Sequence, residues 1–235
     1  MVVRLKDARA VAKAAAAAVV ESAFKAIHEH GEFRFVVAGG NTPRATYELL
    51  SSDLREEVDW RRVIFYFSDE RCVGPDDPAS NYRMARESLF DPLKVPDRSV
   101  RRMAGELPPV SAAAEYDAEV RAVMADRNPA FDLALLGMGS EGHTASLFPG
   151  SAALEEKSRA VVHVVVPAEP PERLTMTPAA LASVRQIVFL VTGAEKAEAL
   201  ARVFSDGDDL PAARVSRLAP SRFLVDEAAA AELPR

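Results

Sequence analysis

The sequence predicts an α/β fold, a mainly parallel sheet with helices on both faces, and three observations carry that prediction. Short apolar runs rich in Val, Ile and Phe recur along the chain (FRFVV, VIFYF, FDLALL, IVFLV). They lack polar alternation, as strands buried on both faces do. Stretches of helical periodicity separate them, which is the order of an α/β protein. Glycines or small polar residues follow three of the runs directly (AGGNTP, LLGMGSEGH, VTGAEK), at the strand ends where open α/β sheets hold ligands.

Taken in order, residues 7–30 form a long helix closed by Gly31, residues 33–38 a strand and residues 42–51 a helix. Thr42 fits the N-cap of that helix and Pro43 its first position. Residues 63–67 are a strand, followed by a Pro/Asp loop and a helix over 80–90. Residues 100–103 are a short strand and 111–126 a helix. The central strand, 131–136, is ended by glycines, and 145–148 form a short helical turn stopped by Pro149 and Gly150. Residues 161–166 are a further strand. PAEPPER (167–173) reads as a surface loop, and a helix starts at Pro178. Residues 187–192 are a strand and 194–204 a helix. The proline-flanked stretch 205–220 reads as surface loop, and 223–225 as a last edge strand. No repeat or low-complexity linker interrupts this order, so residues 1–235 make one domain.

Composition excludes several function classes. At 235 residues the chain can bury a substantial core, and 49% hydrophobic with 27% charged residues is ordinary for a globular protein. A net charge of −6 argues against nonspecific nucleic-acid binding, but not against a small anion in a local basic pocket. Cys72 is the only cysteine, which rules out an internal disulfide and a cysteine-rich metal site. Lys13 and Glu21 flank an alanine-rich N-terminal helix that lacks the pattern of a signal peptide, and no apolar run reaches about 18 residues. The expectation is a cytoplasmic protein with no membrane contact.

Four strand-to-helix junctions carry the chemistry. At Gly39-Gly40-Asn41-Thr42, paired glycines and a helix start offer free N–H groups, and Arg44 adds a cation; together they describe an anion site, most simply for phosphate. At Ser68-Asp69-Glu70-Arg71 a charge cluster leaves a strand. Its residues are either a solvated rim or, for Arg71, a phosphate clamp. Asn81, after Ser80, either caps the next helix or reaches the pocket. At the third junction Arg173 precedes Thr177-Pro178 and either faces the same crevice or makes a surface ion pair. At the fourth, Lys196 follows Gly193 in a first turn, where the macrodipole disfavours a cation, although Glu195 beside it fits.

His143 is the only histidine in a glycine-rich loop, directly after Gly142 and beyond the strand that Gly137 and Gly139 follow. Residues 137–142 spell G-x-G-x-x-G, but a dinucleotide site needs a long helix after the last glycine, and Pro149 forbids one. His28 and His30, two apart on a helix, point to nearly opposite sides, and His163 lies in an apolar strand, so no spacing matches a zinc site. No metal and no cofactor is expected.

The blocks AGGNTP, SDERCV with SNYRMARESL, LLGMGSEGHTASLFPG, and RLTMTP with VTGAEKAEAL together resemble the 6-phosphogluconolactonase family, from the first helix to near the C-terminus. The resemblance implies a doubly wound fold shared with glucosamine-6-phosphate deaminases. It also implies metal-free hydrolysis of 6-phospho-D-glucono-1,5-lactone to 6-phosphogluconate, the second step of the oxidative pentose phosphate pathway. His143 then matches the catalytic histidine, Arg71 and Lys196 the basic substrate-binding residues, and Gly40, Asn41 and Thr42 the phosphate loop. Gly39, Asp69, Asn81, Gly139 and Arg173 complete the expected substrate site, with Arg71 a second catalytic candidate. Glu141 stands where the family commonly has Asp, and Asn41 where it more usually has Ser. The deaminase branch carries a Glu five residues after the histidine, a position held here by Phe148, which favours the lactonase. The chemistry agrees: an imidazole, with an ordinary pKa of about 6.5, takes a proton from water near neutral pH. Glycine-loop N–H groups or Arg71 would hold the oxyanion. The partner is a small sugar-phosphate lactone, and the sequence leaves the oligomeric state open, a monomer included.

Overall fold

The computed structural model describes residues 1–205 and 207–234. Its chain order is β1 (Val2–Leu5), α1 (Ala8–His30), β2 (Phe33–Val37), α2 (Asn41–Ser51), β3 (Val63–Phe67), β4 (Asp69–Arg71) and α3 (Asn81–Ala85). A π turn, Arg86–Phe90, leads into α4 (Asp91–Leu93), followed by β5 (Val100–Arg101), α5 (Pro109–Asp126) and β6 (Leu133–Gly137). Next come β7 (Val161–Val165), β8 (Glu172–Met176), α6 (Pro178–Leu181) and β9 (Ile187–Val191). The last elements are α7 (Ala197–Val203), α8 (Pro211–Ser216) and β10 (Ser221–Asp226).

Seven strands form one sheet in the order β1-β10-β9-β6-β2-β3-β5, and every pairing in it is parallel. From β2 the chain steps outward through β3 to β5, then returns to β6 beside β2 and steps the other way through β9 to β10. Right-handed crossovers therefore place the helices of the two halves on opposite faces. On one face α1 packs against α2; on the other α5 packs against β7, β8 and α6. The sheet is doubly wound, with its switch point between β2 and β6, where the chain loops diverge and leave a crevice. Phe33, Phe35, Phe65, Phe131, Phe189 and Phe223 are fully or nearly fully buried in the core around it. Among the described residues no helix is long and apolar enough to cross a membrane.

Several expectations are corrected. The N-terminal VVRL is a strand, too short to stand out beside the long helix, and it takes the edge; β10 lies inside, between β1 and β9. Residues 161–165 do not join the parallel sheet. They pair antiparallel with β8, which pairs antiparallel with β4, in a separate three-stranded sheet. PAEPPER is accordingly the turn of a hairpin, and its last two residues, Glu172 and Arg173, already belong to β8. Within 205–220, Pro211 starts α8 rather than prolonging a loop, because proline suits the first helical position, and Ala212, Ala213 and Val215 are buried. Residue 206 of that stretch lies outside the described residues. Residues 145–148 form no helical turn: Ala145 has φ +49° and Thr144 bridges Leu147. The helix expected over 80–90 is divided by the π turn, and the one over 194–204 opens with a 3₁₀ turn at Ala194–Lys196.

Candidate active site

The switch point opens into a crevice of about 490 Å³, with one wall from each of four strand ends. After β2, the Tyr47 hydroxyl from α2 accepts the Ala38 N–H and donates to the Ala38 carbonyl, both at 3.0 Å, pulling the helix against the strand end. Gly40, φ +107°, caps α2, which starts at Asn41, so the sequence placed the cap two residues late and the Thr42 side chain caps nothing. The first intrahelical bond runs from Arg44 N to Gly40 O. Helix geometry leaves the earlier N–H groups, at Asn41 and Thr42, without an intrahelical partner. Gly39, Gly40, Asn41 and Thr42 all line the crevice, and Thr42 Oγ1 lies 2.8 Å from Thr192 Oγ1 at the end of β9. Arg44 is exposed and lines no part of it, which removes it from the expected cation set.

After β6, three short bonds close the glycine loop: Gly139 N to His143 O (2.9 Å), Gly142 N to Gly139 O (3.0 Å) and Thr144 Oγ1 to Gly137 O (2.8 Å). The loop turns the His143 imidazole into the crevice. The ring stacks on Phe148, with centroids 4.1 Å apart and planes 15° apart. Its Nδ1 lies 2.9 Å from Glu141 Oε1. The two are in contact, but Nδ1 is buried and makes no hydrogen bond to the protein. Burial pushes the Glu141 carboxyl up, but its own N–H, the charge and contact of His143, and Ser140 outweigh that and hold it below the usual carboxylate range.

Two glycines are there because side chains already occupy the space. A Cβ on Gly39 would lie 1.9 Å from Asn81 Oδ1, and one on Gly139 would lie 2.1 Å from His143 Nδ1.

The small sheet supplies the third wall. Asp69 is buried and accepts Ser68 Oγ at 3.0 Å and Ser146 Oγ at 2.8 Å, which ties it to the segment after His143. Asn81 Nδ2 donates to Asp69 O at 2.9 Å. Asp69 and Asn81 both line the crevice, while Ser80, not Asn81, caps α3. Glu70 is not a solvated rim. It is 2% exposed and accepts the N–H groups of Arg71, Asn81 and Tyr82, each at 2.7 Å, and Ser80 Oγ at 3.0 Å. Burial nonetheless pushes its carboxyl above the ordinary range, against those hydrogen bonds.

Arg71 and Arg173 are cross-strand partners on β4 and β8, and both line the crevice. Arg173 donates Nε to Pro170 O at 2.6 Å and Nη2 to Glu169 O at 3.3 Å, pinning the hairpin turn. Burial, then the charge of Arg71, lowers its pKa. Arg71 Nη1 donates to Ala79 O, while its Nε is buried without an acceptor from the protein. Lys196, at the end of the 3₁₀ turn after β9, is the third cation. Among the described residues none of Arg71, Arg173 and Lys196 has a carboxylate oxygen within 4.0 Å. The crevice thus holds, among the described residues, three cations with no carboxylate oxygen within 4.0 Å, although Asp69, Glu169 and Glu195 also line it, and one histidine on its wall.

The sequence reading missed Thr192, Ser146 and the hairpin residues Ala168 and Glu169, which also line the crevice. Thr192 was findable as the last residue of an apolar run; the hairpin was not, since its prolines read as loop. The other histidines lie elsewhere: His163 pairs with Glu172, and His30 lies 3.4 Å from Glu29. Among the described residues no three His, Cys, Asp or Glu side chains gather as a metal site.

Comparison with known proteins places these features in a group. A sequence model described as glucosamine-6-phosphate isomerases/6-phosphogluconolactonase matches residues 6–223. A 6-phosphogluconolactonase of Treponema pallidum is 37% identical over 204 residues, 86% of this chain and 83% of its own. The crystal structure of a 6-phosphogluconolactonase from Thermotoga maritima superposes with a TM-score of 0.85 at 31% identity, over 96% of this chain and 99% of that one. A monomeric glucosamine-6-phosphate deaminase shares the fold at 22% identity, with a TM-score of 0.82 over 98% and 99% of the two chains.

Proposed function

The chain belongs to the glucosamine-6-phosphate isomerase/6-phosphogluconolactonase family, and from that membership we propose that it is a 6-phosphogluconolactonase, an enzyme of the pentose phosphate pathway. It hydrolyses 6-phospho-D-glucono-1,5-lactone to 6-phosphogluconate, by attack of water with His143 as general base and without a metal. The observation that carries the reading is three cations left without carboxylate partners around a single histidine. That pattern suits a substrate with one anionic end and one electrophilic carbon.

The residues divide the task. The N–H groups at the start of α2 and the Lys196 ammonium take the phosphate, since a helix N-terminus and a cation both favour negative charge. Arg71 supplies charge-assisted donors from the facing wall, and Arg173 holds the hairpin turn beside it. Gly39 and Asn81 shape the floor, and Asp69 presents acceptor oxygen to the sugar hydroxyls. With Phe148 against its face and Glu141 near Nδ1, the imidazole keeps Nε2 for water. It takes the proton as oxygen attacks the lactone carbonyl. The charge that forms on the carbonyl oxygen is met by Arg71 or by N–H groups of the Gly139 loop. Collapse of the tetrahedral intermediate breaks the ring C–O bond, and the imidazolium returns the proton to the departing ring oxygen, which becomes the hydroxyl of 6-phosphogluconate.

The apolar ring of Phe148 on His143 favours hydrolysis over deamination, because it leaves no carboxyl on that face of the imidazole. Turnover of freshly prepared 6-phosphogluconolactone, net of its spontaneous hydrolysis, tests the reading. Acceleration of that lactone with no deamination of glucosamine 6-phosphate is expected; no acceleration overturns it. Prolonged chelation and gel filtration should leave the rate intact, and a loss restored by a divalent ion would contradict the metal-free route.

A further inference from the structure

The last residue of β10 does not line the crevice but bonds the turn that carries one of its cations. Asp226 is buried at 7% exposure, and both its carboxylate oxygens lie 3.1 Å from the Gly193 nitrogen. Gly193, φ +98°, opens the 3₁₀ turn that ends at Lys196, and its carbonyl accepts the Lys196 N–H at 3.1 Å. The glycine is therefore fastened on both sides, by Asp226 at its N–H and by Lys196 at its carbonyl. Asp226 Oδ1 also accepts the N–H of Ala229 at 2.7 Å, a local cap on the turn after β10. Two tasks meet in one carboxylate: a cap on its own segment, and a brace on a neighbouring strand's loop.

We propose that Asp226 is the positioning residue for Lys196, fixing the turn that presents the ammonium to the substrate phosphate without touching substrate itself. The brace is direct, because β10 and β9 are adjacent in register, with Val225 opposite Val191. That pairing brings the residue after Val225 to the start of the loop that follows Val191. An N–H held by a carboxylate makes a stronger bond than one held by a neutral acceptor, so the turn keeps one geometry when the crevice is empty. The proposal rests on the phosphate reading of Lys196.

The test compares steady-state kinetics on 6-phosphogluconolactone and on unphosphorylated glucono-1,5-lactone. Asp226→Ser is the informative variant, since its hydroxyl still caps Ala229 but is too short to reach Gly193. It should raise KM for the phosphorylated lactone about three- to tenfold, the effect of one lost hydrogen bond. Its kcat, and its behaviour on glucono-1,5-lactone, should stay within twofold of the parent. Asp226→Asn keeps Oδ1 for both N–H groups and should recover most of the loss. In a Lys196→Ala background, Asp226→Ser should add nothing further. A normal KM in Asp226→Ser, equal losses on the two lactones, or additivity with Lys196→Ala overturns the proposal. A purely structural role would lower thermal stability and leave the ratio between substrates unmoved. If Lys196→Ala itself leaves KM unchanged, the phosphate reading fails instead, whatever Asp226 does.

Discussion

Two glycine junctions face each other across the switch point, residues 39–42 after β2 and residues 137–143 after β6, and only one of them opens a helix. After β2 the chain enters α2 at once, so what it offers the crevice is backbone N–H at a positive helix end. After β6 no helix follows; the loop folds back through bonds of 2.8–3.0 Å and offers a side chain, His143. Both need a glycine where a neighbour's side chain takes the Cβ space, Asn81 in one case and His143 in the other. On the proposed reading, the same residue type serves binding on one side and reaction on the other. What decides between them is whether the next turn is helical.

The largest expected effect breaks the β6 side alone. His143→Ala should keep the fold and bind 6-phosphogluconate normally, because the side chain lies on a loop. Its kcat should fall by about 10²–10⁴, the range for a lost general base. The net rate of the parent should rise with pH through the ionisation of an imidazole, and that step should be missing in the variant. A folded variant within about threefold of the parent, far short of that range, would move the search for a base to Asp69 or Glu141.

A matched pair of substitutions sharpens the contrast. Gly139→Ala drives a methyl group into the imidazole, and a displacement of ~1 Å costs up to about 10²-fold in rate; the loss should appear in kcat. Gly39→Ala displaces Asn81 instead, and its loss should appear in KM. Steady-state kinetics of the two proteins checks the split. Losses in the same parameter would mean that the junctions do not divide the task.

The smallest effect concerns the carboxylate that joins the third wall to α3. Glu70 has its pKa raised by burial from the ordinary 4.5. A carboxyl raised in the folded state contributes stability below its unfolded pKa and loses it as pH rises through the folded one. The difference in Tm between Glu70→Gln and the parent should therefore shift in the variant's favour as pH rises above about 4.5. Thermal melts across the acid range would show it, and a flat difference would contradict the burial argument.

Much of this was legible in the sequence, for physical reasons that differ from place to place. The parallel strands announced themselves because burial on both faces leaves no polar alternation, and many crevice-lining residues because glycine, cations and histidine at strand ends serve no core. The crevice brings together Arg71, Arg173, Lys196 and His143, which lie far apart in the chain. Local chemistry was harder to read. Gly40 displaced Thr42 as cap because positive φ at Gly40 starts the helix early, and Arg44 turned outward with it. β7 and β8 pair only with each other and β4, a partnership no single segment reveals. Asp226 carried no signal, since the glycine it braces is remote in sequence and close only across two registered strands.

The proposed division between phosphate binding and reaction reduces to one ratio, kcat/KM for 6-phosphogluconolactone over kcat/KM for glucono-1,5-lactone, measured in His143→Ala and, on the turn after β9, Lys196→Ala. His143→Ala should lower both numbers together and leave the ratio at the parent's value, since the base acts on the ring carbonyl common to both. Lys196→Ala should lower the ratio about 10- to 100-fold, the equivalent of ~1.5–3 kcal/mol for a charge-assisted bond. A ratio that falls in His143→Ala and holds in Lys196→Ala would contradict the account.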